Sequence, residues 1–170
     1  NPPASAFQRS FATTHLKTSA NQHRTSYFRS LSNQKLSDME KVLIIEDNAM
    51  MRLFLSNYLS RSYEVTAVES PQQVKGFLDT TQEFSLVLSD YYAPGSEEHN
   101  ALKGIQTAMA WQGVPMVILT DEHKSEQRIE AFKFGAQDSI SKPFNPMELS
   151  LRLKGIIAQK ELKMVYRPVA

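Results

Sequence analysis

Between Lys41 and about Leu162 the chain alternates five times between a short apolar run and a stretch with helical spacing. The runs are "KVLII" (41–45), Tyr63 to Val68, "FSLVLS" (84–89), Val114 to Leu119, and a weaker one from Ser139 to Ser141. Short runs with little polar alternation read as strands buried on both faces. The segments between them predict helices. Asn48 caps the first, which carries Met51, Phe54, Leu55, Tyr58 and Leu59 on one face and ends near Arg61. Ser70 and Pro71 open a second, with Val74, Phe77 and Leu78 as its apolar positions. A loop with Pro94 and Gly95 precedes a third over about 100–111. A fourth covers about 124–134 and stops at Gly135. The last runs from Pro146 to about Leu162. Strands separated by helices run parallel, with right-handed crossovers. The predicted fold is therefore α/β: a doubly wound, five-stranded parallel sheet between helical layers, with its ligand site at the carboxyl ends of the strands.

Charge divides the chain. Residues 1–38 hold five basic residues and one acid and are rich in Ser, Thr, Asn and Gln. They read as a flexible basic extension, with an organellar transit peptide as the alternative. The remainder holds 14 basic and 17 acidic residues, a balance without general attraction to nucleic acid. Met39 is the expected start of the domain, which spans 39–162 and leaves 163–170 as a tail or linker start. The chain has no cysteine, which excludes disulfides, thiolate metal sites and a cysteine nucleophile. No apolar run reaches the roughly 18 residues of a membrane span.

The residues that close the strands share one chemistry. Glu46 and Asp47 follow the first, Asp90 the third, Thr120 the fourth and Lys142 the fifth. Three carboxylates on one edge repel one another by about 1 kcal/mol per pair at contact in water, and by more in a drier cleft. A hard divalent cation offsets that, and Mg²⁺ typically takes one or two carboxylates with waters and a phosphate. An aspartate can also be a nucleophile toward phosphorus, with catalysis mainly by positioning and electrostatic stabilisation. In that chemistry Asp90 is the nucleophile, Glu46 and Asp47 hold the metal, and Thr120 and Lys142 contact the phosphoryl oxygens. Each residue alone has a plainer reading, as a helix cap, a loop acid or a surface lysine.

Residues 40 to about 160 resemble a response-regulator receiver domain, the CheY-like fold of two-component signalling. The resemblance rests on "VLIIEDN", "LVLSDYYAPG", "VPMVILTD" and "SISKPF", with 30 residues from Asp90 to Thr120 and 22 from Thr120 to Lys142. It implies the strand order 2-1-3-4-5. It implies Asp90 as the phospho-acceptor, served by a histidine kinase or a phosphotransfer protein. It makes Glu46 and Asp47 the acidic pair, with Asp47 the more direct ligand to Mg²⁺, and the backbone carbonyl of Tyr92 a further ligand. It implies a cis Lys142–Pro143 bond, and Pro94 falls where the family has proline. Such a domain catalyses only its own phosphorylation and slow dephosphorylation, and acts in the cytoplasm. Its output would be a downstream protein effector or a C-terminal output domain, with no direct nucleic-acid or membrane partner and a monomeric or homodimeric state.

Two departures stand out. The family's switch aromatic lies three residues before the lysine, and here that residue is Ser139; Tyr91 or Tyr92 could substitute. "GSEEHN" replaces the family's short Met-Asp-Gly sequence, and its His99 reads as a solvated loop residue. The alternatives are three. A dehalogenase-type phosphatase needs an acid two residues after the nucleophile, where this chain has Tyr92. A flavodoxin-like cofactor binder needs a phosphate loop that Glu46 and Asp47 would repel. A pseudo-receiver would act as a binding module without phosphorylation; the intact site speaks against it and Ser139 for it.

Overall fold

The computed structural model describes residues 39–74 and 84–165. Its sheet is built from β1 (Lys41–Ile45), β2 (Glu64–Val68), β3 (Leu86–Asp90), β4 (Met116–Asp121) and β5 (Asp138–Lys142). All four pairings are parallel and the order is β2-β1-β3-β4-β5, as the resemblance implies. Among the described residues the α-helices are α1 (Ala49–Leu59), α2 (Glu97–Trp111), α3 (Ser125–Phe134) and α4 (Pro146–Val165). Among the described residues, no helix is long and apolar enough to cross a membrane.

Alternation along the strands makes two apolar layers. Val42, Ile44, Leu86, Leu88, Val117, Leu119 and Ile140 meet Leu55 and Leu59 of α1 and Leu149 and Leu153 of α4. Leu43, Ile45, Val87, Met116 and Ile118 face Leu102, Ile105 and Met109 of α2 and Ala131 of α3. Leu43, Ile44, Leu88 and Leu119 are wholly buried, each worth about 1.5–3 kcal/mol of apolar transfer. Because both faces are covered, the strand edge at the carboxyl end is where polar side chains emerge.

Four expectations shift. The strands run further toward their carboxyl ends than apolar content suggests, so Asp90, Thr120 and Lys142 belong to β3, β4 and β5 rather than following them. Main-chain pairing continues where apolarity stops: Thr120 lies opposite Ser141, and the Tyr91 amide donates to the Leu119 carbonyl over 2.9 Å. The third predicted helix starts earlier, at Glu97, because Ser96 caps it by accepting the His99 amide over 3.0 Å. Glu97 and Glu98 then sit in its first turn, where the helix dipole favours acids. Of the predicted helix at Ser70 and Pro71, the described part, Pro71–Val74, is a 3₁₀ turn with Val74 buried. Phe77 and Leu78 lie outside the described residues, as does the whole 1–38 extension. The last helix continues to Val165, past the expected boundary at 162. Residues 166–170 of the expected tail lie outside the described residues.

Candidate phosphoryl and cation site

Glu46 directly follows β1 with its side chain fully buried, an arrangement that requires partners. Its Oε1 accepts the Asn48 amide over 3.1 Å, and its Oε2 accepts the Lys142 ammonium over 2.8 Å. Asn48 also caps α1 by accepting the Met51 amide over 3.0 Å. Burial raises the Glu46 pKa above the ordinary carboxylate value; the Lys142 hydrogen bond opposes that rise and the Asp90 charge adds to it.

Lys142 closes β5 and joins two strands. It donates to Oδ1 of Asp90 over 2.9 Å as well as to Glu46. Burial alone would lower its pKa, but the hydrogen bonds to Glu46 and Asp90, together with their charges, hold it above the ordinary lysine value. Lys142 is thus a fixed positive charge at the sheet edge. The bond between it and Pro143 is cis.

Asp90 receives a second donor on the same oxygen, the Tyr91 amide at 2.9 Å. Both of these bonds fall on Oδ1. Carboxylate oxygens of Glu46, Asp47 and Asp90 lie within 4.8 Å of one another. Asp47 is the exposed member and Glu46 the buried one. Hard oxygens at this spacing fit Mg²⁺ in charge and ligand type. Three carboxylates against one ammonium leave two negative charges for a cation to balance.

Thr120 is buried at the end of β4, and its hydroxyl stands 3.5 Å from that of Ser141 on β5. Ser139, opposite Ile118, buries a hydroxyl that has no hydrogen-bond partner.

The two tyrosines after Asp90 part company. The Tyr91 hydroxyl donates to the Glu130 carboxylate on α3. Burial, then the Glu130 hydrogen bond and charge, push its pKa up to about 12. The Tyr92 hydroxyl is buried without a partner. Its pKa rises by burial first, then by the charges of Asp90, Asp47 and Glu46.

Two residues bond to backbone carbonyls at the site, one overlooked in the sequence and one misread there. Arg52 on α1 donates from Nη1 to the carbonyls of Glu46 over 2.7 Å and Asp47 over 3.0 Å, pinning the backbone of the acidic pair. The signal was a basic residue one turn into the helix after the acids. His99 is not a solvated loop residue: it lies in the first turn of α2, half-buried, with Nδ1 at 3.1 Å from the Tyr92 carbonyl.

The fold and this edge define a CheY-like α/β protein with clustered acids facing a lysine. The family model described as response regulator receiver domain matches residues 42–154. Protein PetR of Rhodobacter capsulatus is 32% identical over 117 residues, 68% of this chain and 48% of that protein. The transcriptional regulatory protein ResD of Bacillus subtilis is 30% identical over 120 residues, 69% of this chain and 48% of that protein. A response regulator receiver domain protein from Clostridium thermocellum superposes with a TM-score of 0.62 at 23% identity, covering 73% of this chain and 98% of that one. The chain belongs to the response regulator receiver domain family. It spans about half the length of the curated relatives it matches.

Proposed function

We propose that this receiver domain takes a phosphoryl group on Asp90 and passes the signal on through protein contacts. The observation that carries the reading is Lys142 bridging Glu46 and Asp90 inside a cluster of three carboxylates. A histidine kinase or phosphotransfer protein is the donor. Oδ2 of Asp90 attacks phosphorus, the bond from phosphorus to the donor's imidazole nitrogen breaks, and that nitrogen keeps the electron pair. Glu46, Asp47, Asp90 and the Tyr92 carbonyl would hold Mg²⁺, whose contribution there would be neutralisation of the charge on the phosphoryl oxygens. Lys142 stabilises the same charge from a fixed position, and the Thr120 hydroxyl contacts a phosphoryl oxygen. The reaction is a single self-modification with slow hydrolysis rather than turnover of a separate substrate. The output is a downstream effector or an attached output domain, and the compartment is the cytoplasm.

Beryllofluoride with Mg²⁺ mimics the phosphoryl group. The wild-type chain should bind it, and Asp90→Asn should not; Mg²⁺-dependent binding retained in Asp90→Asn contradicts the role given to Asp90.

One observation favours a second reading, a phosphorylation-independent binding module: Ser139 offers a lone buried hydroxyl where the family has its switch aromatic. Partner affinity that is equal with and without phosphorylation would select that reading.

A further inference from the structure

The segment "APGSEEHN" has no part in the chemistry described so far, yet it ends against a proposed metal ligand. After Tyr92 the chain reverses through Pro94 and Gly95, where φ is +87°, a conformation that suits glycine. The Ser96 amide donates to the Ala93 carbonyl over 3.1 Å, and the Ser96 hydroxyl accepts the His99 amide over 3.0 Å. These bonds start α2 at Glu97. Helical side chains point back toward the amino terminus, so a residue in this first turn faces the strand end the chain has just left. His99 occupies that position. Its Nδ1 stands 3.1 Å from the Tyr92 carbonyl oxygen, and its ring packs edge-on against Phe134 of α3 with centroids 5.1 Å apart.

A carbonyl oxygen only accepts, so the imidazole must donate and Nδ1 carries the proton. The carbonyl has two lone pairs, and a donor on one leaves the other for a cation. We propose that His99 is a positioning residue: its Nδ1–H fixes the direction of the Tyr92 carbonyl and so sets the affinity of the acidic site for Mg²⁺. This rests on the reading of that carbonyl as a metal ligand. Phe134 keeps the ring from rotating away, which links the metal site to α3 through one aromatic contact. Partners of this kind around metal ligands typically change affinity by about 10–100-fold when removed.

The test is titration of the full chain with Mg²⁺ alone, followed by calorimetry or tyrosine fluorescence, with metal-free thermal unfolding alongside. His99→Phe keeps a ring against Phe134 but has no N–H, and should bind Mg²⁺ about tenfold or more weakly. His99→Asn places an amide N–H near the position of Nδ1 and should recover most of the affinity. A merely structural role predicts the opposite ranking, with Phe retaining affinity and Asn losing it. Wild-type affinity in His99→Phe overturns the proposal. Asp47→Asn separates the two levels of the argument. If the wild-type chain binds Mg²⁺ and Asp47→Asn does not, the metal site stands and the result at His99 judges the positioning role alone. If the wild-type chain does not bind Mg²⁺, the metal-site reading falls and the role of His99 falls with it.

Discussion

The ammonium of Lys142 stands 2.9 Å from Oδ1 of Asp90, although β5 and β3 are separated by β4 in the sheet. The lysine reaches across a strand because Glu46, buried just past the end of β1, accepts a second hydrogen bond from it. Removing the ammonium leaves a buried carboxylate uncompensated. Lys142→Met should lose about 3 kcal/mol of stability without metal, the low end for breaking a buried pair. Saturating Mg²⁺ should restore much of that loss, because a cation replaces the missing charge. Urea unfolding with and without Mg²⁺ measures both. A loss that Mg²⁺ leaves unchanged would mean the cation does not bind beside Glu46.

Glu46 gives the metal-free protein a definite pH dependence. Its folded pKa is raised, chiefly by burial, above the ordinary value of 4.5. Between those two values the folded chain binds more protons than the unfolded one, so this residue's contribution to stability falls as pH rises through the window. The stability difference between wild type and Glu46→Gln should therefore shift in favour of wild type on acidification. Thermal unfolding across that range checks it, and a flat difference would contradict the raised pKa. Mg²⁺ affinity should move the other way, weakening as Glu46 takes up its proton.

Tyr91, the residue after Asp90, is tied to α3 through Glu130. Its pKa, about 12, reflects burial and then Glu130. Spectrophotometric titration should show a phenol that ionises late and disappears in Tyr91→Phe. Glu130→Gln should lower that pKa toward 10, the ordinary value. The sign for stability follows: the contribution is intact below about 10 and lost as pH rises through about 12. A Tyr91 that ionises at the ordinary value would remove the link to α3.

Ser139 supplies a buried hydroxyl with no partner. Leaving a buried polar group unsatisfied costs about 1–3 kcal/mol, so Ser139→Ala should be neutral or stabilise by roughly 1 kcal/mol. Chemical denaturation decides it; clear destabilisation would show that the hydroxyl makes a bond in solution.

Much of this was legible because burial on both faces writes itself into sequence. "VLII" and "FSLVL" announce strands, and the acids that end them mark the ligand edge without any structure. The strand ends were harder: at Asp90, Thr120 and Lys142 apolar content stops while main-chain pairing goes on. The roles of Arg52 and His99 were missed for a shared reason. Both act on backbone carbonyls, and a carbonyl is present at every position, so no residue pattern marks which one is held. The start of α2 was signalled by Ser96 followed by two acids, a capping pattern hidden behind the loop-like Pro94–Gly95 pair. The tie from Tyr91, just after β3, to Glu130 on α3 spans 39 residues, a distance over which sequence carries no pairing signal.

The central claim is that Asp90 carries the phosphoryl group. Incubating the full chain with acetyl phosphate and Mg²⁺, then trapping the acyl phosphate with borohydride and mapping peptides by mass spectrometry, tests it directly. The expected result is a single Mg²⁺-dependent modification at Asp90, absent from Asp90→Asn and strongly reduced in Lys142→Met. No modification under these conditions, or a modification that persists in Asp90→Asn, would contradict it.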